Sequence, residues 1–494
     1  MFGVVRCREG CQEGTDVEGY PGVPPVRLSA LDASFLTSET PSAHMHVGWT
    51  AVFDPPLHGP PPTFAQLRDH IAARVGRASR YRQRLAPVPF GVHDPVWVDD
   101  EDFDINHHVL HAAGARHLGD VASMAMSSQL ERSRPLWEIW VAERLANGRI
   151  GVAGKVHHCM VDGLAAVELA GLLLDPTDDP PPERIDRWRP APRPSGPELL
   201  AQGLADRVRE ELGLMRVPAR VLASPRRRLT DSAVEARRAA LALSHSLGSR
   251  APDSRLHTAS SALRHLGTLN RPLDELRAIK IRHDTTVNDV VLAVCAGGIR
   301  RYLQRHGDTP TRLKAMVPVT LRAPDAAAEL GNGISFIFLG LPCDEPDAVQ
   351  RLRTINKVTT ERKRNGEPRG ADSVLRLVAH TPPFVQHATA RLVASPRTFN
   401  LVISNIPGPA EPLYMRGCRL VEAYPVVPLA ERHAVSIGVT SVGDRACFGL
   451  YADRKALPDL DALTQDVEAA VDELLELSAN GHRPRPRVPL PDLV

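Results

Sequence analysis

His157-His158-Cys159-Met160-Val161-Asp162-Gly163 is the stretch that decides how this chain is read. Upstream of it, Ile150, Val152, Gly154 and Val156 alternate with Gly151, Ala153 and Lys155. That is the period-two pattern of a strand, whose successive side chains point to opposite faces, so His157 and His158 are expected to diverge. Downstream, Leu164 to Leu174 (LAAVELAGLLL) is apolar nearly all round and free of proline, as in a buried helix. The motif therefore falls on a strand-to-helix connection, where residues held by rigid elements commonly carry function.

A histidine with an unperturbed pKa near about 6.5 is neutral at cell pH and can take a proton from an attacking hydroxyl or thiol. Asp162 either fixes the tautomer of one imidazole or pairs with a distant arginine and holds the loop. Gly163 lets the backbone turn or approach a substrate closely. Together these residue types compose an acyl-transfer site. Two histidines beside a buried helix can equally do no more than satisfy hydrogen bonds. The chain carries a control, His107-His108 in DINHHVLHAAG, which lacks the following Asp-Gly and reads as structural. A metal site is disfavoured, because adjacent strand histidines diverge and no Cys or carboxylate cluster completes a ligand set. Cys159 reads as a small buried filler, or as a thiol whose modification blocks the site.

Other segments make a resemblance specific. LSALDASFL (Leu28 to Leu36), MHVG (Met45 to Gly48), PVWVDDEDFD (Pro95 to Asp104) and RSRPLWE (Arg132 to Glu138) precede the motif. TVNDVVLAVCAGGIRRYL (Thr285 to Leu303), MVPVTLR (Met316 to Arg322), Gly331-Asn332, SNIPGP (Ser404 to Pro409) and GLYADRKALPDLDAL follow it. In this order they are similar to the bacterial wax ester synthase/diacylglycerol acyltransferase family, over roughly Arg27 to Leu477.

The resemblance implies an α/β (α+β) fold of two chloramphenicol-acetyltransferase-like lobes around a central channel, joined by a helical crossover linker, with HHxxxDG at the middle of the channel. It implies direct acyl transfer from acyl-CoA to an acceptor hydroxyl, with His158 as general base, His157 shaping the site, and Asp162 and Gly163 in structural support. No GxSxG nucleophile elbow is found, in keeping with direct transfer. Asn288-Asp289 match a channel-facing pair, and read equally as helix capping. Pro135, Leu136 and Trp137 are candidates for lining the acyl channel, although a Trp in that setting is more often core. Ser404 and Asn405, ahead of Pro407-Gly408-Pro409, are expected at a strand end and turn near the channel, with a side-chain oxyanion donor. No cofactor and no metal are expected, acyl-CoA being a substrate. The implied product is triacylglycerol from 1,2-diacylglycerol, with wax esters from long-chain alcohols. Two rivals stay open: acylation of a polyketide or glycolipid hydroxyl, and a non-catalytic lipid-binding protein of the same fold.

A chain of 494 residues exceeds the size of a single growing core, so two lobes are expected on length alone. The expected division is a disordered extension over 1–26, an N-terminal lobe over 27–174, a linker over 175–262, a C-terminal lobe over 263–478 and a flexible tail over 479–494. Prolines between Asp175 and Pro197 exclude a regular helix or central strand there. An arginine-rich stretch follows (Arg207, Arg209, Arg216, Arg220, Arg226 to Arg228, Arg237 and Arg238), with apolar residues at helical spacing. It suits either a solvated face or an amphipathic one lying on an anionic membrane. The segment 251–269 departs from the family pattern. A net charge of +2 without a basic-aromatic patch gives no sign of nucleic acid. The longest apolar run, Val290 to Gly298, is far short of the ~20 residues of a membrane span. With no signal-peptide core and seven spread cysteines, the expectation is a cytoplasmic protein, peripheral on the inner face of a membrane or on lipid droplets.

Overall fold

The alternation of Ile150 to Val156 is a strand, Ile150–His157, buried along its whole length, and the first lobe is built around it. The computed structural model describes residues 25–160, 172–181, 186, 188–222, 250–258, 260–320, 334–365, 389 and 391–480. The first lobe comprises β1 (Val26–Arg27), α1 (Ala30–Ser38), β2 (His46–Asp54), α2 (Phe64–Val75), β3 (Gln83–Ala86), β4 (Val96–Asp99), β5 (Val109–His111), α3 (Leu118–Met126), β6 (Trp137–Ala142) and β7 (Ile150–His157). The connecting helix α4 (Gly196–Leu222) leads to β8 (Arg264–Pro272), α5 (Leu273–His283), α6 (Val287–Arg305), β9 (Leu313–Thr320), β10 (Ile334–Leu341) and α7 (Ala348–Arg364). Then come β11 (Leu401–Ile406), β12 (Tyr414–Met415), β13 (Cys418–Val426), β14 (Val435–Val442), β15 (Arg445–Asp453) and α8 (Leu460–Asn480).

This is a mixed α/β fold of two lobes, each built on a six-stranded sheet: β12-β13-β2-β7-β6-β5 in the first and β10-β9-β11-β14-β15-β8 in the second. A third, three-stranded sheet, β1-β4-β3, flanks the first lobe, and α4 docks on it through Leu199, which packs with Ala86, Val96 and Val98. The lobes exchange chain. Strand β13, far beyond the linker, pairs with β2 in the first sheet, Tyr424 opposite Thr50 and Val426 opposite Gly48. The expected C-terminal lobe over 263–478 is therefore not a closed unit, because 414–426 completes the sheet of the other lobe. Only the end of the divergent segment, from Arg264 on, lies in a strand, the edge strand β8, which pairs along β15.

Sequence chemistry explains the close contacts. A Cβ on Gly48 would stand 2.5 Å from the Gly154 carbonyl oxygen, and one on Gly298 2.5 Å from Val467. The first glycine leaves room for the Met126 side chain of α3 against the sheet, and the second lets α6 press against α8.

The two faces of β7 differ. Val152 and Val156 enter the first-lobe core with Trp137, Ile139 and Phe53. Ala153, on the face shared with Lys155 and His157, joins α3 and the second-lobe residues Leu266 and Tyr451 in a seam between the lobes. Arg264 reinforces that seam: its guanidinium donates to the Ser42 carbonyl and reaches Asp453 at 3.5 Å, and its backbone N–H donates to Ser127 Oγ at 3.0 Å. No helix among the described residues is long and apolar enough to cross a membrane.

Candidate active site

Strand β7 ends in His157, which pairs with His46 at the start of β2. The His157 ring is 1% exposed. Its Nδ1 accepts the Cys159 backbone N–H at 3.2 Å, which puts the proton of the neutral ring on Nε2. Nε2 faces Glu39 Oε2 at 3.8 Å. Burial is the main cause holding the His157 pKa down, to about 3, with the neighbouring His158 and Arg132 adding to it. A ring that stays neutral and buried throughout the physiological range suits a role in shaping the site.

Glu39 is the unexpected member. Its carboxylate takes two hydrogen bonds from Arg132, at 3.1 and 2.5 Å, and one from Gln129 at 3.3 Å. Arg132 also donates to the Leu36 carbonyl at 3.0 Å. Arginine 132 opens the RSRPLWE landmark, so part of what that landmark does is to fix an acidic side chain beside His157.

His158 follows in a turn and is half-buried. Its backbone N–H donates to the Met45 carbonyl at 2.9 Å, and its ring stacks on Phe35 with centroids 3.8 Å apart and planes 13° apart. The two histidines thus diverge as their spacing predicts. Met45 has φ +50°, a left-handed conformation uncommon for a non-glycine residue. That conformation sits where the Met45 carbonyl meets His158. Phe35 and Glu39 lie one helical turn apart, and the Glu39 N–H donates to the Phe35 carbonyl at 3.1 Å. One end of α1 therefore addresses both histidines.

Behind His157 lies a polar layer on the seam face of the sheet. Lys155 is fully buried and its ammonium donates to the Ser128 carbonyl at 2.9 Å and Ser128 Oγ at 3.1 Å, with Glu138 at 3.1 Å. His46 is buried between His44 and His157, with ring centroids 5.3 and 6.3 Å away. Burial first, and the Lys155 charge second, hold His46 well below its ordinary pKa.

The remaining sequence candidates divide. Val161, Asp162 and Gly163 lie outside the described residues, as does most of the helix expected over 164–174. Pro135, Leu136 and Trp137 are buried, Leu136 and Trp137 within the first-lobe core. Trp137 donates its indole N–H to the Tyr81 carbonyl at 2.8 Å, and the Leu136 carbonyl accepts the His157 N–H at 2.9 Å. The Pro-Leu-Trp element seats the histidine strand from behind.

Thr286, not Asn288 or Asp289, is the N-cap of α6, and Asp289 answers it from the third helical position in a reciprocal capping box. The Asp289 carboxylate also accepts Asn356 at 2.9 Å and Thr359 at 2.7 Å from α7. It is 1% exposed and organises the junction of the two helices. Asn288 is half-buried in the first turn. Ser404 and Asn405 belong to β11, Ser404 buried opposite Gly438 and Asn405 half-buried opposite Val439. The turn that follows is held close, since a Cβ on Gly408 would overlap the Ser441 carbonyl. Cys159 is buried, and burial pushes its thiol far above the ordinary range. A cavity of about 700 Å³ opens between the lobes, lined by Val52, Arg149, Leu266 and Glu468 among others. It lies six residues along β2 from His46, about 20 Å at strand rise, and so is separate from the histidine site.

Comparison with known proteins agrees over nearly the whole chain. Residues 28–291 match the model of the wax ester synthase/diacylglycerol acyltransferase catalytic domain, and residues 330–475 that of the WS/DGAT C-terminal domain. The chain is 31% identical over 471 residues to a probable diacylglycerol O-acyltransferase, tgs1, of Mycobacterium tuberculosis, covering 91% of this chain and 96% of the relative. It is likewise 31% identical over 453 residues to tgs2 of the same organism, covering 90% and 97%. Among solved structures, the wax ester synthase/diacylglycerol acyltransferase from Marinobacter aquaeolei VT8 superposes with a TM-score of 0.66 at 27% identity, covering 92% of this chain and 100% of that one. The first condensation domain of the calcium-dependent antibiotic synthetase superposes with a TM-score of 0.57 at 16% identity over 92% and 96% of the two chains, a likeness of fold.

Proposed function

We propose, for a chain that belongs to the wax ester synthase/diacylglycerol acyltransferase family and is an acyltransferase, that it moves a long-chain fatty acyl group from acyl-CoA to the hydroxyl of 1,2-diacylglycerol, forming triacylglycerol. A long-chain alcohol as acceptor gives a wax ester. His158 takes the proton of the acceptor hydroxyl as the oxygen attacks the thioester carbonyl. The tetrahedral intermediate then collapses, the C–S bond breaks, and the proton passes to the departing CoA sulfur. No acyl-enzyme forms.

The observation that carries this reading is the contrast within the pair. His157 is sealed and held neutral, whereas His158 is half-buried on a turn with its backbone pinned to Met45 and its ring on Phe35. Glu39 and Arg132 support the inner histidine. Peripheral attachment to a membrane or droplet surface is part of the proposal, supported by exposed apolar residues beside the linker helix. Leu204 and Val208 of α4 stand out on its surface, and Phe90 is 91% exposed in the turn whose Pro89 meets Gly196. Purified protein given palmitoyl-CoA with diolein or with hexadecanol is expected to release CoA and form triacylglycerol from the first acceptor. Absence of product from both acceptors by folded protein would overturn the substrate assignment.

A further inference from the structure

We infer that Phe35 is a positioning residue for the transfer step: it holds the His158 ring in the plane from which it takes the acceptor proton and favours the cationic ring that results. This rests on His158 being the base.

The geometry is specific. With centroids 3.8 Å apart and planes 13° apart, the rings lie nearly face to face. Two neutral rings avoid that sandwich and prefer offset or edge-on packing, but a cation over an aromatic face is attracted by the ring quadrupole. The stack therefore suits the imidazolium better than the imidazole. The ring changes from one to the other when the acceptor proton moves to it, the O–C bond forming as it does so. When the C–S bond breaks, the proton leaves for the CoA sulfur and the ring is neutral again. Phe35 touches neither substrate in this scheme and acts through His158.

The support for Phe35 is itself fixed. Helix α1 is capped by Ser29, whose Oγ accepts the Asp32 N–H at 3.1 Å. The next turn is closed by the bond from the Glu39 N–H to the Phe35 carbonyl, and Arg132 holds the Leu36 carbonyl. The Phe35 side chain packs against the first-lobe core. Met45 pins the backbone of His158 while Phe35 fixes its ring, so both degrees of freedom that aim the base are restrained. Misaiming a reacting group by a fraction of an ångström is costly to rate and nearly neutral to binding.

Phe35→Leu keeps apolar volume and loses the plane, and Phe35→Tyr keeps the plane. With the full chain, palmitoyl-CoA and diolein, Phe35→Leu is expected to lower kcat about 10-fold with both KM values within about twofold, and Phe35→Tyr to retain kcat. His158→Ala is run beside them. If it keeps turnover, the reading of the base fails; if it is inactive while Phe35→Leu has wild-type kcat, only the inference about Phe35 fails. Carbon-13 labelling of the histidines gives a test that needs no folded variant. The Cε1 proton of His158 in the wild-type protein should be shifted upfield by the Phe35 ring current, and an unshifted resonance overturns the inference.

Discussion

The first lobe carries two adjacent histidine pairs, and they have opposite fates. In His107-His108 the first ring is exposed and the second is packed away, stacked between Phe103 and Trp137, its Nδ1 bonded to the Trp137 carbonyl at 2.9 Å. In His157-His158 the first ring is buried beside a carboxylate it does not quite reach and the second sits on a turn at the end of the strand. Histidine content and burial alone do not make a site. What separates the pairs is the end of a strand, where one residue belongs to the sheet and the next to a loop. A second helix, α1, is then able to address the two rings separately.

The largest expected stability effect tests the structural pair. His108→Ala empties the slot between Phe103 and Trp137 and should cost about 3 kcal/mol in urea unfolding, with kcat per folded molecule unchanged. A loss of kcat without loss of stability would move His108 into the site.

Around the other pair, Arg132→Ala leaves the carboxylate of Glu39, 4% exposed, with its Gln129 bond and no guanidinium. A cost of about 2 kcal/mol is expected, together with a fall in kcat as His157 shifts. Unchanged stability would mean that the Glu39 carboxylate is not held as described.

Acid sharpens the contrast further. The folded protein holds His157 at about 3 by burial, whereas an unfolded chain protonates it near about 6.5. Its contribution is therefore fully present above pH about 6.5 and is lost as the pH falls toward the folded value, roughly 2 kcal/mol by pH 5. His157→Gln should flatten that part of the dependence when unfolding midpoints are compared at pH 5 and 7.5. Equal pH slopes for the two proteins would contradict a sealed, neutral His157. The smallest effect belongs to Cys159: maleimide at neutral pH should leave its peptide unlabelled in the folded protein and turnover unaltered, because the thiol is buried and held protonated.

Much of this site was legible along the chain. The period-two run into His157, and the divergence of the pair, follow from local geometry that seven residues suffice to reveal. The partners of the pair were not legible in the same way. Glu39 and Arg132 meet across 93 positions of sequence, and no local pattern links them. Phe35 is one apolar residue of the LSALDASFL landmark. The landmarks containing Phe35, Met45 and Arg132 marked the right segments, but assigned these residues no task. Trp137 carried two readings, channel lining by resemblance and core by residue type, and it packs in the first-lobe core with its indole N–H on the Tyr81 carbonyl. Asp289 suggested a cap or a channel residue and proved to be the acidic half of a capping box begun by Thr286. The crossing of β13 into the first sheet could not be read at all, because its register with β2 is set by contacts between residues hundreds of positions apart.

The most direct test is a single assay on three proteins, wild type, His158→Ala and His108→Ala, measuring CoA release and triacylglycerol formed from palmitoyl-CoA and diolein per folded molecule. A fall of roughly 10²–10⁴-fold is expected for His158→Ala, with wild-type turnover for His108→Ala. Comparable turnover from His158→Ala and the wild type would contradict His158 as the base.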